Sequence, residues 1–153
     1  MGELKGPCAP ADRWGCPMTD ARILLVEDDK HIRWLVEEYL RRSGVQVIAV
    51  ADGFAALDAI HRAGEIKEPI DLVLMDVNMP VMGGVETLQR MRAAKYRGPV
   101  VALTAYSEAE GGPGWSNAGW DAVATKPINF KVLMPMIKLL LRGRRGRETT
   151  SGI

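Results

Sequence analysis

The sequence predicts an α/β protein built on a five-stranded parallel sheet covered by helices on both sides. Three observations predict it. After Arg22, short β-branched runs alternate with amphipathic helical patterns about five times. The runs are apolar on both faces, as strands held between two helical layers must be. Parallel strands also need right-handed crossovers of helical length, and the spacing between runs supplies them.

The elements follow in order. Arg22–Val26 reads as the first strand, and Ile32, Leu35, Val36, Tyr39 and Leu40 then recur at the spacing of one helix face over Lys30–Arg42. Gly44 stops that helix, residues 45–50 form the second strand, and Ala56, Leu57 and Ile60 mark a second helix ending near Gly64. A strand over residues 70–75 enters a turn at residues 77–84, and Val85, Leu88 and Met91 carry a third helix to about Tyr96. Pro99 opens a strand over Val100–Thr104, Ala122–Thr125 is a short fifth strand, and residues 129–141 form the last helix.

Composition narrows the class of protein. The 153 residues are 47% hydrophobic and 25% charged, which suits one ordinary soluble domain. No apolar run approaches the roughly 18 residues of a membrane span, and the N-terminal segment lacks the apolar centre of a signal peptide, so a cytosolic address is expected. Cys8 and Cys16 match neither a redox pair nor a zinc set and read as free thiols. The net charge of +1 hides an asymmetry: residues 142–153 hold four arginines against Glu148, leaving the rest of the chain mildly acidic.

In a parallel sheet, ligands sit beyond the carboxyl ends of the strands. Glu27, Asp28 and Asp29 end the first strand, Asp76 the third, Thr104 the fourth, and Lys126 the fifth. Glu27, Asp28 and Asp76 at one edge would repel one another unless a cation neutralised them. Oxygen-only ligands select a hard ion, and carboxylates with one backbone carbonyl and waters suit Mg²⁺. Asn78 is placed to offer that carbonyl. A carboxylate beside the ion can attack phosphorus, and Asp76 is the candidate nucleophile. Lys126 and Thr104 supply the cation and hydroxyl that incoming phosphoryl oxygens require. Asp29 reads as a helix cap, and His31 and His61 as solvated surface residues.

ILLVEDD, DLVLMDVNMPVMGG, ALTA and ATKPIN, in that order, resemble the four signatures of the response-regulator receiver domain of two-component signalling, over about residues 20–141. The intervals of 48 residues (Asp28 to Asp76), 28 (Asp76 to Thr104) and 22 (Thr104 to Lys126) are close to the family's. The resemblance implies a flavodoxin-like sheet of order 2-1-3-4-5, with Asp76 as phosphoacceptor. It makes Glu27, Asp28, Asp76 and the Asn78 carbonyl the Mg²⁺ ligands, and Thr104, Ala105 and Lys126 the phosphoryl-binding residues. It also associates Lys126-Pro127 with a cis bond. The implied partners are a histidine kinase or histidine phosphotransfer protein and a downstream protein, with neither a DNA-binding domain nor a membrane. The KPIN ending resembles receivers of hybrid kinases.

Departures from the family concern signalling. Val123 stands where the family usually has an aromatic switch residue. Residues 107–116 contain three glycines and a proline, so an irregular or missing fourth helix is expected. Pro135 should kink the last helix or make it start late. These departures share the family's usual dimerisation face, which argues against pairing through it. Trp115 and Trp120 read as replacement packing. Trp34 lies off the apolar stripe of the first helix and is a candidate for docking the phosphodonor, against a reading of partial burial at the stripe's edge. The Met79, Pro80, Met82, Gly83 and Gly84 set reads as turn geometry, with glycine supplying positive φ. Residues 1–19 read as an extraneous tail and 142–153 as a frayed Arg/Gly-rich one, leaving a receiver without its own output. Two other functions compete: a pseudo-receiver acting as a constitutive interaction module, and an aspartate-nucleophile phosphatase. The latter is disfavoured by Asn78 where a second acid is usual.

Overall fold

The structure, a computed structural model, describes residues 21–105 and 118–151. Residues 1–20 with Cys8 and Cys16, and residues 107–116 with Trp115, where an irregular or missing fourth helix is expected, lie outside the described residues. Five strands, β1 (Arg22–Val26), β2 (Gln46–Val50), β3 (Leu72–Asp76), β4 (Val100–Thr104) and β5 (Ala122–Thr125), pair in parallel in the order β2-β1-β3-β4-β5. The described helices are α1 (Lys30–Arg42), α2 (Gly53–Glu65), α3 (Gly84–Ala93) and, last, α4 (Phe130–Ser151).

The pleat divides the core. Ile23 and Leu25, Leu72 and Leu74, and Val101 and Leu103 point to one face, against Val36 and Leu40 of α1 and Leu133, Ile137 and Leu141 of α4. The alternate residues Leu24, Val26, Val73, Met75 and Val100 face Ala56 and Ala63 of α2 and Leu88 and Met91 of α3. The two-sided apolar pattern holds for β1, β3 and β4 but not for the sheet edges. β2 and β5 are only partly buried, since each has a neighbouring strand on one side alone.

Side chains close the helix starts. Asp29 accepts from the backbone N–H of His31 (2.9 Å) and Ile32 (3.1 Å), and Asp52 from that of Ala55 (2.8 Å). These bonds hold the Asp29 carboxyl below its ordinary pKa. Asn129 caps α4 through Lys131 N–H at 3.0 Å. Gly44 follows α1 at φ +97°, the left-handed stop its position suggests.

Four expectations need correcting. Leu35 and Tyr39 do not share the buried face of α1: Val36 and Leu40 are buried, while Leu35 is 50% exposed and the Tyr39 ring stacks on Phe130, centroids 3.8 Å apart. A five-residue stripe is wider than the arc this helix presents to the sheet. Of the two outcomes expected of Pro135, a kink or a late start, the late start is not found, since the last helix starts at Phe130 with Pro135 inside it; the proline removes the one N–H that would bond the Lys131 carbonyl. The helix also continues past the end of its apolar pattern, through Ser151. Finally, Gly83 sits at φ −71°, and the left-handed residue of the β3–α3 turn is Val81, at φ +71°. His31 and His61 are exposed as expected. Trp120 packs partly buried against both Val77 and Ala102 and the α2–α3 side of the core.

Candidate functional site: an acidic pocket with one lysine

The strand order reverses direction between β1 and β3, because the chain leaves β1 toward β2 and returns to β3 on the other side. The crevice at that switch point opens beyond the strands' carboxyl ends, where the neighbours β1 and β3 deliver Glu27, Asp28 and Asp76. One carboxylate oxygen from each lies within 4.8 Å of the others. Glu27 and Asp76 are buried and Asp28 is exposed. Two acids are therefore held in the floor of the pocket and one at its mouth.

Lys126, carried past β5, closes the pocket from the other side. Its Nζ lies 2.8 Å from Glu27 Oε1 and 3.3 Å from Asp76 Oδ1. Lys126 N–H donates to the Thr104 carbonyl at 2.7 Å, which ties the lysine to the end of β4. The Lys126-Pro127 bond is cis. Thr104 is buried at the end of β4, pairs in register with Thr125, and is followed by the exposed Ala105. Val77 N–H donates to the Leu103 carbonyl at 3.0 Å, so the Asp76 strand end and the Thr104 strand end are locked side by side.

One ammonium does not balance three carboxylates. Burial, then the Glu27 charge and a hydrogen bond with Asp28, push the Asp76 pKa up to about 7, against the smaller opposing pull of Lys126. For Lys126, burial lowers the pKa, but its hydrogen bond to Glu27 and the charges of Asp76 and Glu27 outweigh that and raise it. This uncompensated negative charge, on an all-oxygen donor set, is what a hard divalent cation would relieve. Asn78 is exposed, and its backbone N–H donates to Asp76 Oδ1 at 3.2 Å. Trp34, on the outward side of α1, is 63% exposed. Val123, in the half-exposed edge strand, is exposed.

Two residues support the site: Arg33, which the sequence did not single out, and Gly84, which it marked only as turn geometry. Arg33 Nη1 donates to the Glu27 carbonyl at 2.9 Å, while Glu27 N–H donates to the Val50 carbonyl (3.1 Å) and Asp29 N–H to Glu27 Oε2 (3.2 Å). The buried acid is thus held by backbone and side chain alike. Arg33 falls six residues after Glu27, a helix-face position that by itself signals only a solvated cation. Gly84, the first residue of α3, leaves no room for a Cβ: one would lie 2.5 Å from the Asp76 carbonyl oxygen and 2.8 Å from Val77 Cα.

A doubly wound sheet with three carboxylates and a lysine at its carboxyl edge defines the receiver class of signalling domain. The chain matches the response regulator receiver domain over residues 23–138 and belongs to that family. Transcriptional regulatory protein PrrA of Mycobacterium tuberculosis is 36% identical over 134 residues, covering 88% of this chain and 55% of PrrA. Sensor protein GacS of Pseudomonas syringae pv. syringae is 34% identical over 144 residues, covering 90% of this chain and 15% of GacS. The chain therefore spans about half the length of PrrA and a small part of GacS. Among solved structures, the receiver domain protein of Methanospirillum hungatei JF-1 has a TM-score of 0.73 at 29% identity, covering 83% of this chain and 98% of that one. Response regulator TrrA of Thermotoga maritima, in complex with Mg²⁺ and BeF, has a TM-score of 0.65 at 32% identity, covering 78% and 98%. No helix among the described residues is long and apolar enough to cross a membrane.

Proposed function

We propose that this chain is a phosphoacceptor module in which Asp76 takes a phosphoryl group from a phosphohistidine on a kinase or phosphotransfer protein, in a Mg²⁺-dependent relay. The observation that carries it is the convergence of Glu27, Asp28 and Asp76 with Lys126 on Glu27 and Asp76. An Asp76 carboxylate oxygen attacks phosphorus, the P–N bond to the donor imidazole breaks, and its electron pair leaves with the histidine. The products are an aspartyl phosphate and free histidine. Mg²⁺, held by Glu27, Asp28, Asp76 and the Asn78 carbonyl, supplies the positive charge that lets carboxylates and phosphoryl oxygens share the pocket. Lys126 and Thr104 receive the phosphoryl oxygens, and Ala105 leaves the approach open. The chain catalyses no turnover beyond its own phosphorylation and dephosphorylation. Its output is a changed surface read by another protein, and Val123 makes that change independent of an aromatic switch at its position.

Intact-mass measurement after incubation with acetyl phosphate and Mg²⁺ tests this. A gain of about 80 Da that disappears in Asp76→Asn is expected; an unchanged mass would leave the chain a constitutive interaction module. Trp34, with the exposed Leu35 next to it, is the proposed docking contact on α1 for the donor protein. Trp34→Ala should slow transfer from a phosphohistidine protein and leave acetyl phosphate labelling intact; equal rates from the protein donor would remove α1 from the docking surface.

Arg33 bears on the metal. Arg33→Ala is expected to weaken Mg²⁺ binding by about 10-fold, the usual scale for a residue that orients a ligand without touching the ion. The readout is the Mg²⁺ concentration needed for half of the thermal stabilisation. An unshifted midpoint would mean that the Glu27 carbonyl needs no such support.

A further inference from the structure

We propose that the groove between the C-terminal ends of α2 and α3 is a binding site for a small organic monocarboxylate with an apolar body of about ten non-hydrogen atoms. It lies at the edge of the sheet opposite Asp76, and the inference does not depend on the phosphoacceptor reading.

The sheet geometry makes the hollow. Pro69 and Ile70 lead into β3, and Lys95, Tyr96 and Arg97 lead from α3 toward β4, so both loops gather where parallel strands enter the sheet. The end of α2 lies against them. The hollow between these segments measures about 310 Å³. Ile60, Ala63 and Ile70 line it, and Ala63 and Ile70 are buried in the core, so its floor is hydrocarbon. Tyr96 forms a wall and is held in place from two sides. Its hydroxyl donates to the Ile70 carbonyl at 3.1 Å, and the Arg92 guanidinium carbon lies 5.9 Å from the ring centroid. A hollow with a fixed wall and floor is already shaped for a ligand.

Gly64 keeps the groove open. It stands in the last turn of α2, and its φ is not among the positive glycine values, which belong to Gly44 and Gly119 among the described residues. A Cβ added to it would meet nothing within 4 Å. Neither backbone conformation nor close packing therefore asks for glycine, although glycine weakens a helix relative to alanine. What the missing side chain leaves is space. Gly64 lines both this hollow and an adjoining one of about 360 Å³ that runs along α2 to Leu57.

Charge selects the occupant. Lys95 and Arg97 are exposed at the edge of the first hollow, and among the described residues no acid lines it and neither cation has an ion-pair partner. The carbonyl dipole at the end of α3 favours a cation near Lys95, but it does not account for two cations over an apolar floor. Glu65 lines only the adjoining hollow, where its Oε2 lies 3.3 Å from His61 Nε2. A negative group therefore belongs at the end with Lys95 and Arg97, and its apolar body runs over Ile60 toward Leu57. At about 30 Å³ per water, the first hollow holds roughly ten waters, which sets the size of that body. Release of those waters from hydrocarbon and charge-assisted hydrogen bonds from the two cations act on the same ligand. Inorganic phosphate would gain from the cations alone.

Octanoate and 1-octanol share a chain and differ in charge, so they are the probes. Each is titrated into the isotope-labelled full chain and followed by amide chemical shifts. Octanoate is expected to bind with Kd on the order of 0.1–1 mM, with the largest shifts at residues 60–70 and 94–97. It should bind about 10-fold more tightly than 1-octanol. Lys95→Gln combined with Arg97→Gln should erase that preference and leave 1-octanol binding unchanged. Gly64→Leu should fill the groove, weaken both ligands by about 10-fold or more, and keep or raise the melting temperature. The proposal is overturned if octanoate does not bind, if its shifts centre elsewhere, if 1-octanol binds the unaltered chain equally well, or if the double glutamine variant retains the preference. Unchanged octanoate binding by Gly64→Leu would overturn it too.

Discussion

Asp76→Asn is expected to make the metal-free protein more stable at pH 8 than the unaltered chain, by on the order of 3 kcal/mol. The reason is the state of the Asp76 carboxyl in the fold, where burial and the Glu27 charge raise its pKa from 3.8 to about 7. A carboxyl with a raised folded pKa binds its proton more tightly in the native state than in the unfolded chain. Its stabilisation is complete below the unfolded value and is lost as pH rises toward the folded one. The unaltered protein should therefore lose stability between about pH 4 and pH 7, while the asparagine variant, neutral throughout, should not. Near pH 4 the two should be alike. Lys126 keeps Glu27 as a partner at 2.8 Å in the variant, so the substitution strands no ammonium. Denaturant titrations of both proteins at pH 4, 6 and 8 without divalent ions measure the difference. An advantage that stays flat with pH would refute the charge argument. Mg²⁺ should reverse the order at pH 8, because it stabilises the carboxylate form and gains less from an amide.

The second large effect is expected at Gly84. Alanine there should cost about 2–4 kcal/mol and slow labelling of Asp76. Its Cβ would press on the Asp76 carbonyl oxygen at 2.5 Å and on Val77 Cα at 2.8 Å, both main-chain atoms in the strand end that carries Asp76. Neither can rotate away as a side chain would. The gain of up to about 1 kcal/mol from replacing glycine by alanine in a helix is too small to offset this. Gly64 provides the contrast. It lies inside α2, and a Cβ added there would meet nothing within 4 Å, so Gly64→Ala should stabilise by about 1 kcal/mol. Thermal melts of the two variants should move in opposite directions. A neutral Gly84→Ala would mean that the strand end yields more easily than its closed hydrogen bonding implies.

Much of the site was legible because its residues end strands. Glu27, Asp28 and Asp76 follow apolar runs, and a parallel sheet gathers such positions at one edge whatever the details of packing. Lys126 was legible for the same reason. Asp29 was readable as a cap because short acids at helix starts satisfy open N–H groups. Helix faces were less so. Leu35 and Tyr39 fit an apolar stripe by spacing, yet the width of the contact between α1 and the sheet depends on how α4 lies alongside, where Phe130 takes the Tyr39 ring. Arg33 was not legible as a support, because nothing local says that its guanidinium folds back onto a carbonyl six residues earlier.

The residues alone determined the alternation of strands and helices, the edge at which the acids collect, and the family to which the chain belongs, because each depends on periodicity or on the order of short motifs. Only the tertiary structure decided which atoms meet. It set the 2.8 Å contact of Lys126 with Glu27, the close approach of α3 to the Asp76 carbonyl that makes Gly84 necessary, and the transfer of the left-handed position from glycine to Val81. Those outcomes depend on distances between segments far apart in the chain and on how a closed turn shares its strain, and neither is written in local residue preference.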